Sequence, residues 1–192
     1  MKRRTFDRIV TFVGFGVAII FLAGAALLNW GSSFAKQSVT DQLSNQNIAF
    51  PAVEAMPAET KDQLAKWAGK QVTTGEMARD YSDLYIWEHM KASAQAVIGK
   101  PATYSEVSGQ YMALVRSGKG DPAEIAKLGE LRQTLFMGNT LRGMLLQAFA
   151  FWQLGLIAGY ASIALLVGGV VMLLLSIAGL LHLRRTPEDA MI

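Results

Sequence analysis

The stretch IVTFVGFGVAIIFLAGAALL, residues 9–28, decides the fold class of this chain of 192 residues. It belongs to an uncharged run of 27 residues between Arg8 and Lys36, and a second uncharged run of 41 residues separates Arg142 from Arg184. A bilayer core is crossed by about 20 apolar residues of helix, and two crossings with a turn need roughly 45. Each run is therefore long enough for one crossing. The sequence predicts an all-α membrane protein with two transmembrane helices.

The first run has an alternative interpretation as a cleaved signal peptide, because Lys2, Arg3 and Arg4 precede it. However, the apolar core of a signal peptide is only about 7–15 residues long, which is shorter than this run. We therefore expect residues 9–30 to remain as the first transmembrane helix. Residues 154–182 are expected to form the second.

The net charge of +3 arises at the two ends of the chain, because the charged residues from Lys36 to Arg142 cancel. Short basic flanks of transmembrane helices remain in the cytoplasm. This rule predicts a cytoplasmic N-terminus over residues 1–8, a cytoplasmic tail over residues 183–192 and an extracytoplasmic domain over residues 31–153. The charged residues of the two ends are Lys2, Arg3, Arg4, Asp7, Arg8, Arg184, Arg185, Glu188 and Asp189.

Composition excludes several kinds of chemistry. The chain contains no cysteine, so it has no disulfides, thiolate metal ligands or cysteine nucleophiles. Its basic flanks are explained by membrane topology and are not interleaved with aromatic residues, so nucleic acid is not an expected partner.

Helix start and stop patterns divide the segment between the two runs into helices. Capping boxes are expected at Thr73, Thr103 and Asp121, each followed three residues later by a glutamate, and Pro122 stands at the first position of the third helix. No segment of useful length alternates with the period of a strand. The predicted helices cover residues 60–68, 75–98, 104–117 and 122–151, and an extended connector covers residues 48–57.

The last of these helices carries an apolar stripe that leads into the second uncharged run. We expect a nearly continuous helix through both, and we expect the first transmembrane helix to continue to about Leu43. The two transmembrane helices would then form a helical hairpin with a small helical domain between them. The stripe consists of Leu131, Leu135, Gly138, Leu141, Leu145, Ala148 and Trp152.

Small residues at four-residue spacing predict where the transmembrane helices make close contact, because they let two backbones approach each other. Two interpretations are open: the helices pack on each other within one chain, or they contact another copy or a larger membrane complex. The predicted packing residues are Gly14, Ala18, Gly155, Gly159 and Gly168, supported by Ala158, Ser162 and Ala164.

The residues with catalytic potential do not form a recognisable pattern. His89 falls in the predicted domain and His182 at the cytoplasmic end of the second transmembrane helix, so the predicted topology prevents them from sharing a metal ion. The carboxylates Asp80, Asp83 and Glu88 alternate with basic residues, which is typical of a solvated helix face. We therefore predict no catalytic residue, no cofactor and no metal site.

One surface is a candidate for contact with other molecules. The candidate residues are Arg132, Arg142 and Trp152, on the helix that leads into the second apolar run, and the candidate partners are another protein or anionic lipid headgroups. The preferred interpretation is that this helix packs only against its own domain.

Several strings resemble a known group of proteins. The chain is similar over most of its length to actinobacterial two-span membrane proteins of unknown function, which often carry the label aromatic ring-opening dioxygenase. The resemblance implies the plasma membrane of a Gram-positive cell, with the domain facing the envelope. The strings that carry it are KRRTFDR at residues 2–8, QVTTG at 71–75, YSEVSGQY at 104–111, LRQTLFMG at 131–138 and the pair Phe151-Trp152.

Three functions remain open from the sequence. The preferred hypothesis is a non-catalytic accessory or stabilising component of a membrane or cell-envelope assembly, whose partner is the bilayer together with another membrane protein or a second copy. One alternative is a metal-dependent, oxygenase-like enzyme, as the family label implies, with iron near His89. The other is binding of a lipid or small apolar ligand.

Overall fold

The structure, a computed structural model, describes residues 2–187, so the tail residues Glu188 and Asp189 lie outside it. Over this range the chain is helical and contains no strand, as predicted. The elements in chain order are α1 (Arg3–Asn45), a 3₁₀ turn (Val53–Ala55), α2 (Lys61–Leu64), a second 3₁₀ turn (Ala65–Trp67), α3 (Gly75–Asp80), a π-helical segment (Tyr81–Ile86), α4 (Trp87–Ile98), α5 (Tyr104–Ser117) and α6 (Pro122–Arg185).

The chain forms two compact units. The first unit, called the terminal unit here, combines the residues up to Lys36 with those from Leu154 onward. The second, called the central unit, comprises Gln37–Gln153. Val39 and Leu43 from the last turns of α1 are buried in this unit, whereas Ser32 and Ala35 of the same helix contact Gly159 and Gly155 in the terminal unit.

Both long helices are apolar enough to cross a membrane, as predicted. In the most apolar 18-residue window of α1 only 22% of the residues are buried, and in that of α6 only 11%. A core helix of a soluble protein would be mostly buried. These windows instead present large apolar side chains at the surface, among them Ile20 and Leu174.

The central unit contains two apolar clusters. The first forms around Phe50, Leu64 and Val72 and includes Met77 of α3. The second joins α4, α5 and α6. Of the predicted stripe on α6, Leu145 packs in the first cluster and Leu131 and Leu135 pack in the second. The buried members of the second cluster are Met90, Ala94, Ala102, Val107, Leu128, Leu131 and Leu135.

The helix starts agree with the sequence at two of three positions. Thr103 forms the predicted capping box with Glu106, and Asp121 Oδ1 accepts a hydrogen bond from the Ala123 N–H. The prediction at Thr73 is wrong, because Thr74 is the cap of α3 and accepts the Met77 N–H. Glu76 does not complete a capping box there; its carboxylate accepts a hydrogen bond from Trp152.

The connector before α2 is held by backbone hydrogen bonds to the segment before α3. The Phe50 N–H donates to the Lys70 carbonyl, and the Val72 N–H donates to the Ile48 carbonyl. These bonds place Phe50 in the first cluster, where its ring contacts the rings of Trp67 and Tyr81.

The helix predicted over residues 75–98 has the correct limits but contains an unpredicted π-helical segment, Tyr81–Ile86. A π-turn widens the helix by closing hydrogen bonds over five residues, and such turns are frequent at functional sites. The helix then continues as α4 to Ile98 and is capped by Gly99, whose φ of 72° suits glycine.

Candidate functional site

The predicted packing residues of the terminal unit lie where the two helices approach each other. A Cβ atom added at Gly155 would lie 3.0 Å from the Ala35 Cβ, and one at Gly159 would lie 2.9 Å from the Ser32 Oγ. At the other end of the contact, Gly14 has no space for a Cβ beside Ser176. Small residues therefore determine how closely the two segments pack within this chain.

The remaining small residues refine this contact. Ala18 is completely buried, and Gly168 packs against the ring of Phe21. Ser162 is buried and donates a 2.8 Å hydrogen bond to the Ala25 carbonyl. Ala164 is exposed and therefore does not belong to the packing face.

Two contacts of this interface were missed by sequence reasoning. A Cβ atom at Gly179 would lie 2.6 Å from the Thr11 Oγ1, and one at Gly169 would lie 2.9 Å from Leu22. Gly179 follows Ser176 by three residues, so a search for four-residue spacing alone does not identify it. The contact thus runs antiparallel from Thr11 and Gly179 to Ala35 and Gly155.

The two arginines predicted to contact partners or lipid have partners within the central unit. Arg142 donates through Nε to the Ser82 carbonyl and through Nη2 to Asp83 Oδ1 at 2.9 Å, and its guanidinium lies 4.5 Å from the Trp87 ring centre. Arg132 donates through Nε to the Ser108 Oγ. Both side chains therefore join helices of this unit, as the preferred interpretation expects, and their contact with another molecule stays a hypothesis.

Trp152 also has a partner within the central unit. Its indole N–H donates a 2.8 Å hydrogen bond to Glu76 Oε1, and its side chain occupies the space beside Gly75. A Cβ at position 75 would collide with the Trp152 side chain, so the glycine permits the close approach of α3 and α6. The contact of Trp152 with lipid or another protein likewise stays a prediction.

Asp80 forms the densest ionic cluster in the central unit. Its side chain is only 5% exposed; Oδ2 accepts hydrogen bonds from the Trp67 indole and the Lys66 ammonium, both at 2.9 Å. Oδ1 accepts from the Arg79 guanidinium at 2.8 Å. The interpretation of Asp80 as part of a solvated face is therefore wrong. Its partners Lys66 and Trp67 are distant in the sequence and give no periodic pattern.

The Asp80 cluster favours the carboxylate form. Burial alone would raise the pKa of Asp80, but the hydrogen bonds from Trp67, Arg79 and Lys66 together outweigh burial and lower the pKa below its ordinary value of 3.8. This carboxylate is therefore held charged as a structural link between α3 and the 3₁₀ turn at Ala65–Trp67.

The two histidines lie in different units. His89 in the central unit is exposed; its Nδ1 lies 3.0 Å from the Tyr85 carbonyl and its ring packs on Tyr85. His182 in the terminal unit lies 3.8 Å from the carboxylate of Asp7. Within residues 2–187, no group of three or more His, Asp or Glu side chains is placed to hold a metal ion.

An exposed apolar surface lies on α6 within the central unit. Met137, Leu141 and Met144 are 54%, 48% and 66% exposed and lie on one side of the helix at four- and three-residue spacing. We call these three residues the Met137 stripe. Leu141 was predicted to face inward with Leu135 and Leu145, but its exposure shows that the buried face narrows at this point.

Comparison of the chain with protein-family models, with curated proteins and with solved structures gave no match. The resemblance to actinobacterial two-span membrane proteins therefore stays a prediction.

Proposed function

We propose that this chain is a two-span membrane protein that acts by association, as an accessory or stabilising component of a membrane or cell-envelope assembly. In this proposal α1 and α6 form a helical hairpin across the plasma membrane. Both termini lie in the cytoplasm, and residues 31–153 face the extracytoplasmic side, as the positive flanks favour.

The observation that carries the membrane part of the proposal is the exposed apolar surface of the terminal unit. Ile20 is 68% exposed and Leu174 is 60% exposed. Both lie in runs without a charged residue, which cover residues 9–35 of α1 and residues 143–183 of α6. Exposing so much apolar surface to water is costly, at about 25 cal/mol per Å². Lipid chains remove this cost.

The contact between small residues supports a first helix that remains in the mature protein. Residues from Thr11 to Ala35 of α1 pack against residues from Gly155 to Gly179 of α6. A cleaved signal peptide would leave the small-residue face of α6 without its partner. The second helix also lies far from the N-terminus, so the signal-peptide interpretation does not apply to it.

The association part of the proposal is supported by the central unit. The Met137 stripe provides a contiguous apolar surface outside the apolar windows. Such surfaces mark interaction sites when they are rimmed by polar residues.

Site-specific photocrosslinking in cells tests this association. A benzophenone amino acid is placed at Met137, and the matched control carries it at Val115, which is 44% exposed on α5. We expect a discrete crosslinked species, another membrane protein or a second copy, from position 137 and none from position 115.

The opposing result is equally clear. If mild-detergent purification gives a single monomer and position 137 crosslinks no more than position 115, the association proposal is wrong. Metal analysis of the purified chain and of His89→Ala addresses the enzymatic alternative. Stoichiometric iron that is lost on this substitution would replace the proposal with that alternative.

A further inference from the structure

A cavity of about 320 Å³ opens on the central unit beside the last turns of α1. Leu43 and Leu145, each 5% exposed, form its floor, and the exposed Leu141 and Met144 border its mouth. Its size lies at the lower end of the roughly 300–1,000 Å³ of small-molecule pockets. The other described residues that line it are Gln42, Gln46, Ile48, Tyr81, Ile86 and Ala148.

The cavity arises where α1 ends. Leu43 of α1 covers α6 at Leu145, but α1 stops at Asn45. The same side of α6 continues through Met144 and Leu141 without a covering helix. An apolar floor is thereby left open at one side rather than filled by the chain itself.

The π-helical segment forms the opposite wall. Tyr81 and Ile86 both line the cavity although they are five residues apart. In an α-helix, residues five apart point in directions that differ by about 140°. A π-turn brings residues i and i+5 to the same side. The wider turn is therefore what allows both side chains to face this cavity.

The polar groups of the cavity are uncharged. Among the described lining residues only Gln42, Gln46 and Tyr81 carry polar side chains, and none carries a charge. The Gln42 amide donates to the Ser38 Oγ. The Tyr81 hydroxyl and the Gln46 side-chain amide form no hydrogen bond with protein groups in residues 2–187. Gln46 is exposed and Tyr81 is half-buried, so both groups can exchange hydrogen bonds with the hydroxyl groups of a ligand.

We propose that this cavity binds one alkyl chain of an uncharged single-chain lipid, of the chemical class of a monoacylglycerol. The chain would lie on Leu43 and Leu145, and the hydroxyl groups of the head would exchange hydrogen bonds with Tyr81 and Gln46. A fatty acid is disfavoured because no cation lines the cavity to pair with its carboxylate.

The inference rests on the proposed membrane location for the supply of lipid, but it concerns a different contact from the association. Leu141 and Met144 belong to the Met137 stripe and also line the cavity. The tests therefore use residues that belong to only one of them: Met137 for association, and Tyr81 and Ala148 for the ligand. Either proposal can then fail alone.

Photolabelling tests the ligand directly. The full-length chain in phosphatidylcholine nanodiscs is irradiated with monooleoylglycerol that carries a diazirine in its acyl chain, and mass spectrometry locates the labelled residues. We expect saturable labelling at Leu141, Met144 and Leu145 that unlabelled monooleoylglycerol suppresses and equimolar oleate does not. Labelling confined to the terminal unit, or labelling that unlabelled monooleoylglycerol does not suppress, would overturn the proposal.

Two variants connect the labelling to this cavity. Ala148→Phe fills it with a ring and should reduce the label about tenfold, because a packed cavity has no space for extra groups. Gln147→Phe, at the neighbouring exposed position, is the matched control and should label as the parent does. Equal labelling of these two variants would contradict the proposal.

Tyr81→Phe decides the case if Ala148→Phe fails to fold, as judged by its circular dichroism. It removes one hydroxyl and keeps the ring that contacts Phe50. We expect about a three- to tenfold weaker competition by monooleoylglycerol, which is the usual effect of one hydrogen bond. Unchanged competition in a folded Tyr81→Phe variant would show that the head does not bind there.

Discussion

The two stretches of α6 follow opposite rules within one helix. In the central unit, Leu131 and Leu135 point inward and are at most 3% exposed, while Glu130 and Gln133 face out. In the terminal unit, Gly155 and Ser162 point inward, while Leu174 is 60% exposed.

This difference teaches which solvent each stretch is suited to. In water, large apolar side chains gain by burial, so the larger residues lie inside. In lipid that gain is absent, and close backbone contact between small residues provides the attraction. The proposed membrane location therefore rests on this change along α6: large apolar side chains are buried in the stretch before Gln153, and small residues are buried in the stretch after Leu154.

The largest expected effect comes from Leu135→Ala in the central unit. Leu135 is fully buried, so its truncation leaves a cavity and should lower the free energy of unfolding by about 2–5 kcal/mol. The same truncation at Leu174 in the terminal unit should change stability far less. Thermal unfolding in detergent checks both variants. An equal loss of stability in Leu174→Ala would contradict the proposed difference between the two stretches of α6.

Asp80→Asn should have the next largest effect. The substitution removes the charge that binds Lys66, Arg79 and Trp67 and should cost about 1.5–3 kcal/mol at neutral pH. Because the folded pKa of Asp80 is lowered, its contribution is complete above the ordinary value of 3.8 and is lost as the pH falls through the folded pKa. The variant should therefore lose part of the acid dependence of unfolding. Identical pH profiles would show that Asp80 does not stabilise the fold.

Gly14→Leu tests the terminal unit. Position 14 has no space beside Ser176, so the larger side chain should separate the helices and cost about 1–3 kcal/mol. Gly16→Leu is the control two residues away, where no atom lies within 4 Å of an added Cβ. Thermal unfolding of both variants in the same detergent provides the measurement. Equal stability of both would mean that small residues do not set this contact.

The sequence predicted the fold well wherever its pattern was periodic or local. The capping box at Thr103, the limits of α5 and the packing roles of Gly155 and Gly159 follow from spacing along a single helix. The cap of α3 is Thr74 and not the predicted Thr73. The sequence could not distinguish the two, because both threonines carry the side-chain oxygen that a cap requires.

The features that the sequence missed depend on tertiary contacts. Asp80 is buried because Trp67 and Lys66 meet it from another part of the chain. The amino-acid composition of Tyr81–Ile86 does not distinguish a π-helical segment from an α-helix. The cavity beside Tyr81 exists only because α1 ends where α6 continues. Lipid binding was one open hypothesis from the sequence, but only the fold assigns it residues.

Single-cysteine labelling can test the proposed membrane topology at any chosen position, because the chain has no cysteine of its own. Ala96→Cys lies on an exposed position of α4 and Thr5→Cys lies near the N-terminus. In intact cells, a membrane-impermeant maleimide should label position 96, and should label position 5 only after the membrane is opened. Labelling of position 5 in intact cells, or protection of position 96 until the membrane is opened, would contradict the account.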